Sequence, residues 1–472
     1  MKPVAHPQPL GWKAESSETL RLAGPLALAN LLQMMTYAVD VIFIARLGTA
    51  ELAASALAVA IFGVLISAMA GLAGAVSPLV AAELGARAPA LRPVRRTVRM
   101  ALWMATCAGL VAMAICTQAG PIMLALGQDP AITALATSYM DLLLFSLVPM
   151  VLSIVLRHFV AALGRPMFAT AITGCGVLVN ALANYAFIFG NLGAPALGLP
   201  GAAIATVLST LFSLGAYALV IRLDKRLNRY HVFGNLWRPD LARFGQLLRI
   251  GTPIGLTVMA EAGVFGAAAF LMGMIGPEEL AAHTLALQVT AIAFMVPMGV
   301  AQAGTIRVGY YFGAREPVGV HRAGWSAIVM GTGFMVLTAS SMVLVPEWLL
   351  WPYLDPWAPQ NAVVIALALT YLTVCAAFQL FDGLQVVAAG ALRGLQDTRV
   401  PMWIAIFSYW VPGFGLAAGL GLATRLEGVG VWIGLAAGLV FASCLLLRRW
   451  HAREALGLVR GMPAQHFVAT NP

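Results

Sequence analysis

RLAGPLALANLLQMMTYAVDVIFIARLG, residues 21–48, is long and apolar enough to cross a bilayer, yet it carries Asp40 inside the apolar run. A membrane span needs about 20 predominantly apolar residues. A second stretch, RIGTPIGLTVMAEAGVFGAAAFLMGMIG (249–276), aligns with the first without a gap, pairing Arg21 with Arg249, Pro25 with Pro253 and Gly48 with Gly276. It too holds an acid, Glu261, although at a different position. A third acid, Asp382, interrupts LTVCAAFQLF (372–381) and LQVVAAG (384–390). An acid at mid-bilayer depth costs on the order of 2.5–3.5 kcal/mol on insertion scales, so groups of this kind mark ion or proton sites.

The rest of the chain has the same character. Hydrophobic residues make up 61% of the 472 and charged residues 10%, too little charge to cover a soluble surface. Twelve candidate helices fall near 20–46, 52–80, 98–120, 132–160, 166–190, 198–222, 245–275, 280–310, 320–344, 361–391, 400–421 and 427–447. Residues 1–19 are polar and proline-spotted, without a cleavable signal pattern. The sequence predicts an all-α, multi-pass integral membrane protein.

Basic residues give the orientation. With the N-terminus in the cytoplasm, the even-numbered gaps are cytoplasmic. Arg87, Arg92, Arg95, Arg96 and Arg99 fall in gap two–three, Arg157 and Arg165 in gap four–five, and Arg222 to Arg249 around gap six–seven. Arg307, Arg315, Arg322, Arg393, Arg399, Arg448, Arg449, Arg453 and Arg460 keep to the rule. Only Arg46 and Arg425 fall outside, where Glu51, Asp129, Glu278, Glu279, Glu347, Asp355 and Glu427 gather. The net charge of +9 therefore belongs to a membrane-facing cytoplasmic side and does not point to nucleic acid.

Sliding the sequence by 228 positions aligns 21–87 with 249–315. ELAA at 51–54 meets ELAA at 279–282, and Gly85-Ala86-Arg87 meets Gly313-Ala314-Arg315. AALGRPM (161–167) resembles GALRGLQDTRVPM (390–402). Chance matching of Ala and Leu does not produce a shared Pro, shared glycines and an identical GAR at one offset. Each half holds six helices, an even number, so the repeat is parallel and the path for a substrate lies between the halves. The expected segments are a cytoplasmic 1–19, a first lobe over 20–222, a basic linker over 223–244, a second lobe over 245–448 and a cytoplasmic tail over 449–472.

The acids break this symmetry. Asp40 falls opposite Ala268, Glu261 opposite Gln33 and Asp382 opposite Ser153. At 1.5 Å rise per residue Asp40 lies about 12 Å inside the helix end at Gly48. Asn180 and Asn184, one turn apart on one helix face, lie about 15 and 9 Å inside Gly190. Glu261 and Asp382 lie about 18 and 16 Å from Arg249 and Arg393, so that pair too shares a level. Asn180 and Asn184 also fit a purely structural bond between helices. Tyr37, Phe265 and Phe294 are candidate cavity aromatics for cation–π contacts, although aromatics at helical spacing more often pack. Pro25, matched by Pro253, is a candidate hinge.

The run FDGLQVVAAGALRGLQDTRVP (381–401) resembles the tenth-helix signature of the multidrug and toxic compound extrusion family, NorM-type branch. AAHTLALQVTAIAFMVPMGVAQAGTIRVG (281–309) resembles that family's eighth helix, NALANYAFIFG (180–190) its fifth, and Pro25 with Asp40 its first. The likeness covers roughly 18–448. It implies two six-helix lobes forming a V-shaped cavity, and secondary active export of amphipathic cationic drugs and dyes by antiport with Na⁺ or H⁺. It places Asp40, Asn180 and Asn184 in a first-lobe polar cluster. Glu261 and Asp382 become the second-lobe coupling site, a position at which Na⁺ is one candidate occupant. Phe378 stands where a hydroxyl would help hold sodium. The expected setting is the bacterial inner membrane, with a monomeric protein, both termini cytoplasmic and no cofactor.

Two alternatives frame this expectation. A lipid-linked saccharide flippase or metabolite exporter of the same superfamily needs arginines in its cavity, and basic residues are almost absent from the helix centres. A membrane-embedded enzyme needs a motif, and no His-Glu-x-x-His, Gly-x-Gly-Asp, nucleophile elbow or Walker sequence occurs. The histidines (His6, His158, His231, His283, His321, His451 and His466) are dispersed, with His283 alone inside a core helix near its outer end. The five cysteines show no disulfide or ligand spacing.

Overall fold

A computed structural model describes residues 9–87 and 89–459; His6, Arg460, His466 and the outer parts of the expected end segments lie outside these. Among the described residues twelve helices are long and apolar enough to span: α1 (Trp12–Ala45), α2 (Thr49–Ala86), α3 (Leu91–Cys116), α4 (Pro130–Ala162), α5 (Pro166–Phe189) and α6 (Leu199–Leu223) in the first half. The second half supplies α7 (Leu241–Ile275), α8 (Pro277–Ala314), α9 (Pro317–Leu344), α10 (Pro359–Gly394), α11 (Arg399–Ala423) and α12 (Glu427–His451). All twelve expected stretches are helical, and no strand occurs among the described residues. In lipid the backbone must satisfy itself, which a continuous helix does.

The punctuation is local chemistry. Asp129 caps α4 by accepting from the Ala131 and Ile132 amides, with Pro130 at the first helical position. Gly190 closes α5 in the left-handed conformation at φ 76°. Asp240 precedes α7 and accepts from the Arg243 amide and, at 2.6 Å, from Arg96. Burial alone pushes the Asp240 carboxyl up, but these bonds hold it below the usual carboxylate range. Arg95 bonds the Tyr230 carbonyl at 2.8 Å, so the basic linker is pinned to α3.

The chain packs as two compact units. One gathers the chain up to Ala27, Ser77–Ala90 and the chain from Ala260 on; the other comprises Leu28–Val76 and Leu91–Met259. The boundaries of these units differ from the expected lobes, 20–222 and 245–448. The physical reason lies in close backbone crossings. A Cβ on Gly85 would stand 1.8 Å from the Tyr310 carbonyl oxygen, and one on Gly313 would stand 1.9 Å from that of Ala82. Gly85 and Gly313 are repeat mates, as are Ala82 and Tyr310. In the same way a Cβ on Gly71 would lie 2.4 Å from Gly255 Cα, and one on its mate Gly299 2.6 Å from the amide nitrogen of Ala27, the mate of Gly255. Only glycine permits such approaches. The shared GAR motif is thus a pair of reciprocal helix crossings, as duplication requires.

The first segment departs from expectation. Helix α1 begins at Trp12 rather than near residue 20, because Glu15 is drawn into the protein by Arg307 of α8. The two guanidinium bonds measure 2.8 and 2.6 Å, and the Tyr311 hydroxyl donates a third at 3.0 Å. The Glu15 side chain is 1% exposed. Arg307, counted as a cytoplasmic marker at the end of the expected 280–310 span, thus holds a buried acid from within α8; Arg157 and Arg393 likewise lie within α4 and α10. Removing one partner of a buried pair costs about 3–5 kcal/mol, since the other charge is stranded. Glu15→Gln should accordingly lower the melting temperature of the purified protein in detergent. An unchanged melting curve would show that the pair contributes nothing to stability.

Candidate functional site

Two polar clusters stand out, one in each half of the chain. In the first, Asp40 of α1 meets Asn180 and Asn184 of α5. Asn184 Nδ2 donates to Asp40 Oδ1 at 2.7 Å and to Asn180 Oδ1 at 3.1 Å. The four-residue spacing places both amides on one face of α5, aimed at α1. Both asparagines are fully buried, and Asn180 Nδ2 and Asn184 Oδ1 keep hydrogen-bonding capacity in hand. No basic side chain pairs with Asp40 among the described residues; its neighbours are neutral. Tyr37, one turn before Asp40 and half exposed, and Tyr139 of α4, buried, both feel its charge.

Tyr139 was not legible in the sequence. Nothing separates one tyrosine of an apolar helix from a packing residue. Arg157 sits in the same half and donates to Asn30 Oδ1 of α1. The sequence reading counts it as a topology marker at the end of the expected 132–160 span.

In the second cluster Glu261 of α7 and Asp382 of α10 feel each other's charge, Arg393 faces Glu261, and Tyr409 of α11 interacts with all three. The acids do not bond one another directly. Glu261 lines a small cavity with Val264, Phe265, Phe378, Tyr409, Gly413 and Leu435 among its walls. Phe265 and Phe378 meet edge to face there at 6.1 Å. Asp382 is buried, with Oδ1 unbonded among the described residues. Tyr409 opens a π-helical stretch, Tyr409–Phe414, that contains Pro412, whose missing N–H loosens the helix. The sequence reading uses Arg393 only as a basic marker at a span end and does not single out Tyr409.

Phe294 is half-buried on α8 and is not among the residues that line the Glu261 cavity. Pro25 lies inside an unbroken α1, two residues before the chain passes from one compact unit to the other. No group of three His, Cys, Asp or Glu side chains converges on a metal position among the described residues. Two carboxylates with a phenol and an arginine can instead exchange a monovalent ion or a proton.

The family model described as MatE matches residues 25–186 and 253–418, two stretches whose starts are the repeat mates Pro25 and Pro253. The chain belongs to the MATE family. Two curated relatives carry the description "Probable multidrug resistance protein NorM". That of Mesorhizobium japonicum is 44% identical, with 94% of this chain and 95% of its own length aligned. That of Brucella suis is 42% identical, with 94% of each aligned. A solved structure, of MATE in complex with MaL6, superposes with a TM-score of 0.85 at 21% identity, covering 94% of this chain and 97% of its own. That likeness bears on the fold. Membership of the MATE family makes the protein a transporter rather than an enzyme.

Proposed function

We propose that this protein is a secondary active multidrug exporter. It moves amphipathic organic cations, including dyes, out of the cell in exchange for H⁺ or Na⁺. The observation that carries this reading is Asp40, a carboxylate within a spanning helix whose partners among the described residues are amides, not a basic side chain. A lipophilic cation finds there a counter-charge without an intramolecular competitor. Glu261 and Asp382 supply the second requirement, a site where a coupling ion binds. Exchange follows if ion and drug are not held together. The descriptions of the NorM relatives support multidrug cargo. The basic residues at one set of helix ends support cytoplasmic termini in a bacterial inner membrane. We also take the protein to be a monomer, and Pro25 to be the hinge at which α1 flexes.

Purified protein in liposomes loaded with ethidium provides the test. Dye should leave under an imposed proton or sodium gradient, and should stay when both gradients are collapsed. Efflux indifferent to either gradient would overturn antiport, and no efflux of any cationic dye would overturn the cargo.

A further inference from the structure

The second half of the chain holds more unbonded buried polar atoms than its acids account for. Among the described residues neither His283 Nδ1 nor Nε2 has a partner. The same is true of Gln379 Oε1, Trp432 Nε1, Tyr371 Oη and Asp382 Oδ1. His283, Gln379, Trp432 and Tyr371 are all about 1% exposed or less. Leaving a buried group without a bond costs about 1–3 kcal/mol, so a string of them in one bundle calls for a shared explanation.

The residues that carry these atoms follow one another along α8 and its neighbours α10 and α12. His283 lies near the start of α8, at the end remote from the basic residues, and its ring is 5.2 Å from Trp432 of α12. Trp432 meets Phe378 at 5.4 Å, and Phe378 walls the Glu261 cavity. Two turns along α8 from His283, on the same stripe, the Thr290 carbonyl accepts from Gln379 Nε2 at 3.3 Å. Gln379 in turn sits one turn from Asp382 on α10. Ala286, one turn from each of His283 and Thr290, lies on this stripe and is small and fully buried. On the other side of His283, Tyr371 interacts with Glu279 of α8 and with Glu427, which is exposed at the start of α12. The charged and titratable groups along this series are therefore Glu279, Glu427 and Tyr371 at one end, and Asp382, Glu261, Arg393 and Tyr409 at the other.

We propose that His283 is a proton-relay residue connecting the outer surface to Glu261 and Asp382 through bridging water beside Gln379 and Thr290. Buried polar atoms in a narrow file are satisfied by ordered water, and histidine is the side chain suited to shuttle protons near neutral pH. A proton arriving at one ring nitrogen from the Glu279–Glu427 side leaves from the other along the file. It ends on an Asp382 or Glu261 carboxylate oxygen, and the neutral imidazole is ready for the next. No bond other than those to hydrogen changes. This rests on the C-half coupling reading and names its ion as H⁺, which the apolar Phe378 beside the acids also favours.

The test is proton uptake coupled to dye efflux in liposomes, recorded at several outer pH values. His283→Gln keeps polarity but does not shuttle protons, and should slow the coupled proton flux by about a hundredfold or more, the low side of losing a positioned proton carrier. Parent flux should fall as outer pH rises, and the variant should lose that dependence, while its equilibrium dye binding and melting temperature stay as in the parent. Glu261→Gln in the same vesicles separates the two ideas. If Glu261→Gln exchanges like the parent, the C-half coupling reading falls. If it is dead while His283→Gln keeps the parent rate and pH profile, the relay alone falls. Should His283→Gln not accumulate as folded protein, Gln379→Leu carries the same test, and a parent-like flux there overturns the relay. Exchange by the parent under a sodium gradient but not under a proton gradient would overturn it as well.

Discussion

Glu261→Gln and Asp382→Asn should each remove most gradient-driven efflux, and the double variant should be little worse than either single one. The two acids stand in one electrostatic cluster with Arg393 and Tyr409, yet neither bonds the other. Arg393 acts on Glu261, whereas Asp382 feels Glu261 and no arginine, so one negative charge is left for one monovalent ion to neutralise. If both acids serve that ion, losing either disables the site, and groups acting as a unit are non-additive. Coupling free energies of this kind run to roughly 1–3 kcal/mol, or about 5–150-fold, so each single loss should be plain in dye-efflux rates. Equilibrium dye binding to the purified variants should change less, because Asp40 lies in the other cluster. Additive losses, or a fully active single variant, would show that the acids are separate groups.

The parts of this molecule that the sequence displays are those where chemistry contrasts with its surroundings. An acid in an apolar run is visible, so Asp40, Glu261 and Asp382 could be named from residue order. Asn180 and Asn184 were visible because amides four apart share a helix face, and the structure bonds one of them to Asp40. The repeat was visible through glycine and proline, and the crossings at Gly85 and Gly313 show why those residues could not drift. What stayed hidden was ordinary in type. Tyr139 and Tyr409 look like packing aromatics until a neighbouring acid is in place. Arg157, Arg307 and Arg393 sit close enough to helix ends to pass as topology signals, although Arg307 neutralises Glu15 inside the protein. Glu15 itself lay in a polar leader, and its burial depends on a partner almost three hundred residues away. The compact units were hidden for the same reason: their borders follow backbone approach, not composition.

Asp40→Asn should leave the protein folded and inserted while strongly reducing export. Asparagine keeps the shape of the side chain and one carbonyl oxygen able to accept from Asn184 Nδ2, so the bond now made at 2.7 Å has a substitute. What disappears is the charge. Asp40 has no basic partner among the described residues, so that charge is free to act on a bound cation or proton. A charged hydrogen-bonding partner contributes about 1.5–3 kcal/mol, which corresponds to roughly ten- to a hundredfold in affinity. The loss should therefore appear in equilibrium binding of a cationic dye as well as in efflux. That is the opposite balance from the Glu261 and Asp382 variants, in which transport suffers more than binding. Measuring both quantities on Asp40→Asn, beside a melting curve to confirm the fold, decides the assignment. If cells carrying Asp40→Asn resist cationic dyes as well as the parent, and the purified variant binds dye equally well, then Asp40 is a structural acid satisfied by its amides. The drug's counter-charge must in that case lie elsewhere.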